Sequence, residues 1–104
     1  MNKLLNIYNL SLDYPDVSGA EQLELLAIRD RITTLESSLS SEERKVLFEA
    51  DKKLIANAAS LYREISRFIN LSEHRKQNNI SSQKWWWYLD VLANLSNYLI
   101  TTAA

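Results

Sequence analysis

Apolar residues along this chain recur mostly at three- and four-residue intervals, the spacing that gathers side chains on one face of an α-helix. In the first twelve residues Leu4, Leu5, Ile7, Tyr8 and Leu12 suit a short helix, with an extended alternation of Leu10 and Leu12 as the alternative. The stretch Asp13-Tyr14-Pro15-Asp16 breaks the pattern, because Pro15 has no N–H and biases Tyr14 away from the α region. Ser18 followed by Glu21 is a capping-box spacing and predicts a helix over 18–38, with Leu25, Ile28, Ile32, Leu35 and Leu39 on the buried line. Glu24, Arg31 and Glu36 lie away from that line.

Ser40 and Glu43 repeat the signal and open the longest helix, predicted over 40–70. Leu47, Ala50, Leu54, Ala58, Leu61, Ile65 and Phe68 keep the helical interval, and Ile55, Tyr62 and Ile69 adjoin them, so the apolar face is wide enough for two neighbours. Ala50 and Ala58 permit close helix approach, and Glu49 with Lys53 forms an i,i+4 pair in the favourable order. Asn70 either ends this helix and caps a further turn with Glu73, or the helix continues to about Gln77. Asn78-Asn79 favours a turn. Ser81 is the next cap, and Ile80 with Trp85 matches a hydrophobic staple, which predicts a last helix over 82–100.

This periodicity predicts an all-α fold: a small antiparallel, up-and-down helical bundle of three long helices with a short N-terminal helix across them, in one domain spanning 1–104. Composition agrees. One Gly and one Pro in 104 residues leave too few turn formers for an all-β chain, and 46% hydrophobic with 24% charged residues is globular rather than disordered. The absence of cysteine excludes disulfides, thiolate metal sites and cysteine nucleophiles, and fits a reducing compartment. The opening Met1-Asn2-Lys3 leads into mixed polar and apolar residues without a signal-peptide core, and the most apolar stretch, 84–100, is interrupted and short of a bilayer span, so the expected location is cytoplasmic. Net charge is −1, divided as −4 over residues 1–52 and +3 over residues 53–104, which predicts attraction between the halves, within one chain or between two.

The last predicted helix carries the unusual composition. On a 100° wheel Gln83, Asp90, Asn94 and Asn97 form a narrow polar stripe and nearly all else is apolar. Trp85 falls near Leu89 and Leu92 and is the expected core residue, with Trp86 towards one edge and Trp87, with Tyr98, on the other. The two edge indoles either fill the bundle or meet a partner; large, low-entropy aromatic side chains are what protein interfaces favour. The sequence points to a non-enzymatic interaction or regulatory module that binds another protein or itself as a homodimer, with Trp86, Trp87 and Tyr98 as expected anchors and Tyr8 as a lesser one.

Signals for chemistry are weak. His74, the one histidine, lies in the polar run Glu73-His74-Arg75-Lys76; there is no second histidine for a metal, and Gly19 alone cannot build a phosphate-binding loop, so no catalytic residue, metal or cofactor is expected. Two alternatives remain. A nucleic-acid-binding domain would need Arg63, Arg67, Arg75 and Lys76 on one exposed basic face, although Glu64 and Glu73 dilute it. A small enzyme or ligand-binding protein would need an aromatic-lined pocket between the last helix and the long one, reached by Tyr62, Glu64 or His74. A membrane-surface helix would need more basic residues than Lys84.

Overall fold

The computed structural model describes residues 2–14 and 18–95. All regular structure among them is helical. Helix α1 spans Lys3–Ser11, α2 Gly19–Thr33, α3 Ser41–Ala56, α4 Ala58–Ile65 and α5 Leu71–Asn78, with 3-10 turns at Glu36–Ser38 and Trp85–Trp87 and a helical run, α6, over 89–95.

Local chemistry sets most of these starts. Asn2 Oδ1 accepts the N–H groups of Leu4 and Leu5 (2.9 and 3.2 Å) to open α1, and Ser18 Oγ accepts that of Glu21 (3.3 Å) to open α2. At α3 the capping box is complete: Ser40 Oγ accepts the Glu43 N–H and Glu43 Oε1 accepts the Ser40 N–H, both at 3.1 Å. The other Glu43 oxygen accepts the Asn2 N–H at 2.7 Å, so one carboxylate caps α3 and ties down the start of α1. Those backbone bonds, Ser40's first and Asn2's next, hold the Glu43 carboxyl below its ordinary pKa.

Several predicted bounds are corrected. The first long helix ends at Thr33 and a 3-10 turn follows, so it stops short of residue 38. The helix predicted over 40–70 is interrupted at Asn57, whose side-chain amide donates to the Lys53 carbonyl (2.9 Å) and competes with the backbone ladder. It ends at Ile65, and Asn70 caps a separate α5 by accepting the Glu73 N–H at 3.0 Å, which selects the first of the two alternatives for residues 70–80. Asn79 closes α5 in the left-handed region (φ 51°, ψ 47°), with the Ile80 N–H donating back to the Arg75 carbonyl at 3.1 Å. The Glu49–Lys53 pair does not form: Glu49 meets Lys52 at 3.0 Å, and Lys53 reaches Asp13 at 2.8 Å.

The core lies where α2 passes between α1, α4 and the Trp turn, while α1 also packs on α3. Leu5 and Tyr8 of α1, Leu26 and Ile32 of α2, Leu54 of α3, and Leu61 and Ile65 of α4 are fully enclosed. Each buried aliphatic side chain contributes roughly 1.5–3 kcal/mol. Ala50 and Ala58 are buried, as their place on the long apolar series predicts, whereas Phe68 at the end of that series is mostly exposed.

Gly19, the first residue of α2, lies against the end of α4 and Phe68 beyond it. A Cβ there would overlap the Glu64 carbonyl oxygen and lie 2.6 Å from Phe68 Cδ2. The ring can turn away but the backbone oxygen cannot, so Gly19→Ala is expected to destabilise the fold by about 1–3 kcal/mol despite alanine's better helix propensity. Urea unfolding of the pair measures this, and an equal or higher midpoint for the alanine variant would rule out the close approach.

Candidate functional site

The three indoles are not at the start of a long helix. Lys84 (φ −89°, ψ 64°) and Tyr88 (φ −113°, ψ 37°) leave helical geometry on either side of a single 3-10 turn, and α6 begins only at residue 89. This turn sends Trp86 and Trp87 inward, at 2% and 6% exposure, and leaves Trp85 half-buried with its ring edge-on to Trp86. The expected order is thereby reversed, and neither Trp86 nor Trp87 offers a surface. Both indole N–H groups donate to the same atom, Asp30 Oδ1, at 2.8 and 2.9 Å. An indole nitrogen is a donor only, so burying two of them requires an acceptor inside, and Asp30 of α2 supplies it. His74 of α5 lies against Trp87 with ring centroids 4.8 Å apart.

Next to this pair, Arg29 lies over the Trp86 ring at 4.3 Å and is 4% exposed. Its Nε and Nη2 donate to the two oxygens of Asp51 at 3.0 and 3.1 Å, and its Nη1 to Thr33 and Glu36 at 2.9 and 3.1 Å. Tyr8 is fully buried, and its hydroxyl donates to Asp51 Oδ1 at 2.7 Å, so Tyr8 is no surface anchor. Burial, with the Asp51 charge adding to it, pushes the Tyr8 phenol far above its ordinary pKa; burial alone would lower that of Arg29, but Asp51 more than offsets it. Tyr98, the remaining predicted anchor, lies outside the described residues.

The four residues of the predicted basic face do not form one. Arg75 turns inward, donating to Asp90 through Nη1 and Nη2 at 2.6 and 3.1 Å and to the Trp87 carbonyl at 3.1 Å, and stacking over Tyr88. Arg67 and Lys76 pair with Glu64 and Glu73 one turn before them, and Arg63 is exposed. Among the described residues, two ion pairs join the halves of the chain, Lys53 with Asp13 and Lys84 with Asp30 at 3.9 Å.

Burial tends to raise the Asp90 carboxyl, but the hydrogen bonds and charge of Arg75 outweigh it and hold the pKa below the ordinary range. A carboxylate depressed in the fold contributes stability above its unfolded pKa and loses it as the pH falls through the folded value. The stability gap between the protein and an Asp90→Asn variant is therefore expected to be full near neutral pH and to close on acidification below roughly pH 4. Chemical unfolding at a series of pH values tests this, and a gap that widens with acid would reverse the assignment.

In comparisons with known proteins, the chain matches no family model, no curated protein and no solved structure.

No group of three or more histidine and acidic side chains among the described residues is arranged to hold a metal ion. The cleft nearest the predicted enzyme pocket, about 230 Å³ between the end of α4, the start of α5 and α6, is lined by Tyr62 and Asp90 among others, and neither Glu64 nor His74 lines it. Its carboxylate is already held by Arg75.

A larger concavity lies elsewhere, away from the candidate site residues that the sequence singles out. A groove of about 490 Å³ runs between α1 and α2, with Leu12, Leu25, Ile28 and Leu61 in its lining and Ile7, Leu10 and Tyr14 on it at 38%, 51% and 73% exposure. Its polar lining is Ser11, Gln22, Glu21 and Glu24. The signal available in the sequence was Ile7 and Leu10, three residues apart on α1 and off the turn that buries Leu5 and Tyr8; an amphipathic helix with apolar residues on both faces has a second neighbour to satisfy.

Proposed function

We propose that this chain is a non-enzymatic protein–protein interaction module whose docking surface is the α1–α2 groove rather than the tryptophan turn. The observation that carries this reading is the placement of three large apolar side chains, Ile7, Leu10 and Tyr14, in solvent along a concave apolar lining. Scattered apolar residues are ordinary on a protein surface, but a contiguous set around a groove marks a place where another surface excludes water. The inward turn of Trp86 and Trp87 takes away the competing surface. The alternatives lose support: Arg75 is committed to Asp90, which breaks up a nucleic-acid face and occupies the carboxylate of the α4–α5 cleft, and neither Glu64 nor His74 lines that cleft.

The test is a titration with an uncharged helical peptide, its leucines at i, i+3, i+4 and i+7 and alanine and glutamine elsewhere, followed by fluorescence anisotropy. Saturable binding is expected, lost in a Leu10→Glu, Tyr14→Ser variant that keeps the helical far-UV signal, because both side chains are more than half exposed. Binding unchanged in that variant would place docking elsewhere. No binding by the protein itself would sink the reading.

A further inference from the structure

We propose that the groove's partner is a basic amphipathic helix: apolar residues on one face, flanked by Lys or Arg. This deepens, and rests on, the reading of the groove as a docking surface. Among the described residues the groove is lined by the carboxylates of Glu21 and Glu24, one turn apart on α2, and by no Lys, Arg or His. Both glutamates are exposed, so a ligand can reach their carboxylates. Asp13, close by in sequence to Tyr14, is differently placed, since Lys53 neutralises it at 2.8 Å. An acidic rim on an apolar floor repels an acidic segment and favours a basic one.

The partner's conformation follows from backbone accounting. Among the described residues the groove is bordered by helices and the turn after α1 and by no strand, so there is no open strand edge to which an extended peptide could add its N–H and C=O groups. A helix satisfies its own backbone and presents apolar side chains at i, i+3, i+4 and i+7, which is the demand of a groove between two helices. Ile7, Leu10 and Leu12 from one wall and Leu25 and Ile28 from the other would then enclose those anchors.

Exposed ion pairs are individually weak, so the charge preference is measured as a ratio and not as tight binding. Three versions of one helical peptide are compared against the full chain, identical on the leucine face and carrying Lys, Gln or Glu at the flanking positions. The expected order of affinity is Lys, then Gln, then Glu, with about a tenfold span between the extremes at low ionic strength that shrinks in about 0.5 M salt. Glu21→Lys, Glu24→Lys is expected to invert the order while Leu10→Glu weakens all three. Equal binding of the three peptides would overturn the charge assignment and leave the docking surface standing. Failure of all three would remove both. Light scattering over a concentration series gives one further outcome: a dimer that dissociates on Leu10→Glu would assign the groove to a second copy and overturn the basic-helix proposal.

Discussion

Replacing Arg29 with methionine is expected to destabilise the protein by about 3–5 kcal/mol, because it leaves the Asp51 carboxylate, 17% exposed, without its bidentate partner. For a domain of this size that corresponds to a fall in Tm of roughly 15–30 °C. The effect is large because four elements meet at one guanidinium: Tyr8 of α1 through Asp51, Arg29 and Thr33 of α2, Glu36 of the following turn, and Asp51 of α3, with the Trp86 ring beneath. A buried ion pair is not in itself a gain, since taking two charges out of water costs about as much as their attraction returns. What is costly is removing one partner. The triple variant Tyr8→Phe, Arg29→Met, Asp51→Leu, which leaves no buried charge and no orphaned hydroxyl, is therefore expected to recover most of the loss. Guanidinium unfolding of the single and triple variants decides the matter; a triple variant no more stable than Arg29→Met would show that the packing of the methylene stem and ring, not the charge balance, dominates at this site.

Asp30→Ala is the second large effect, expected at about 2–4 kcal/mol, because it orphans the N–H groups of two buried indoles at once. Asp30→Asn provides the control. The amide retains an oxygen with two lone pairs at the same position, so both indoles keep an acceptor and only the charge is lost. The asparagine variant is expected to lose less than half as much stability and to keep the near-ultraviolet circular dichroism of the indoles, while the alanine variant loses both. Equal losses in the two would mean that the negative charge beside Lys84 matters more than the acceptor. These two positions adjoin on α2, so their effects are expected to couple and not simply to add.

The buried polar residues of α2 were within reach of sequence reasoning and were missed. Gln22, Leu25, Arg29 and Ile32 share one helical face, so a charged residue stood on the apolar line itself. A charge in that position asks for a partner of opposite sign inside the fold. No local rule names it, because Asp51 lies 22 residues away and could be paired only by the packing of α3 on the same core. The groove was hidden for a related reason: Ile7 sits on the helical spacing and Leu10 also fits an extended alternation with Leu12, and only the packing of α2 beside α1 leaves both exposed in the described chain.

What the chain by itself determined is what depends on neighbours within about four residues: the all-helical class, the apolar series of α3 and α4, and the caps at Ser18, Ser40 and Asn70, where a side-chain oxygen meets an amide three positions on. The tertiary structure decided the rest. Trp86 and Trp87 reach an acceptor 56 and 57 residues away, and the bonds to Asp30, with the burial of both rings, accompany a turn where periodicity alone predicts an uninterrupted helix. Local propensity for the helix is worth only tenths of a kcal/mol per residue for aromatic side chains, whereas burying two indoles with their N–H groups satisfied is worth several, and the stronger of the two effects sets the backbone.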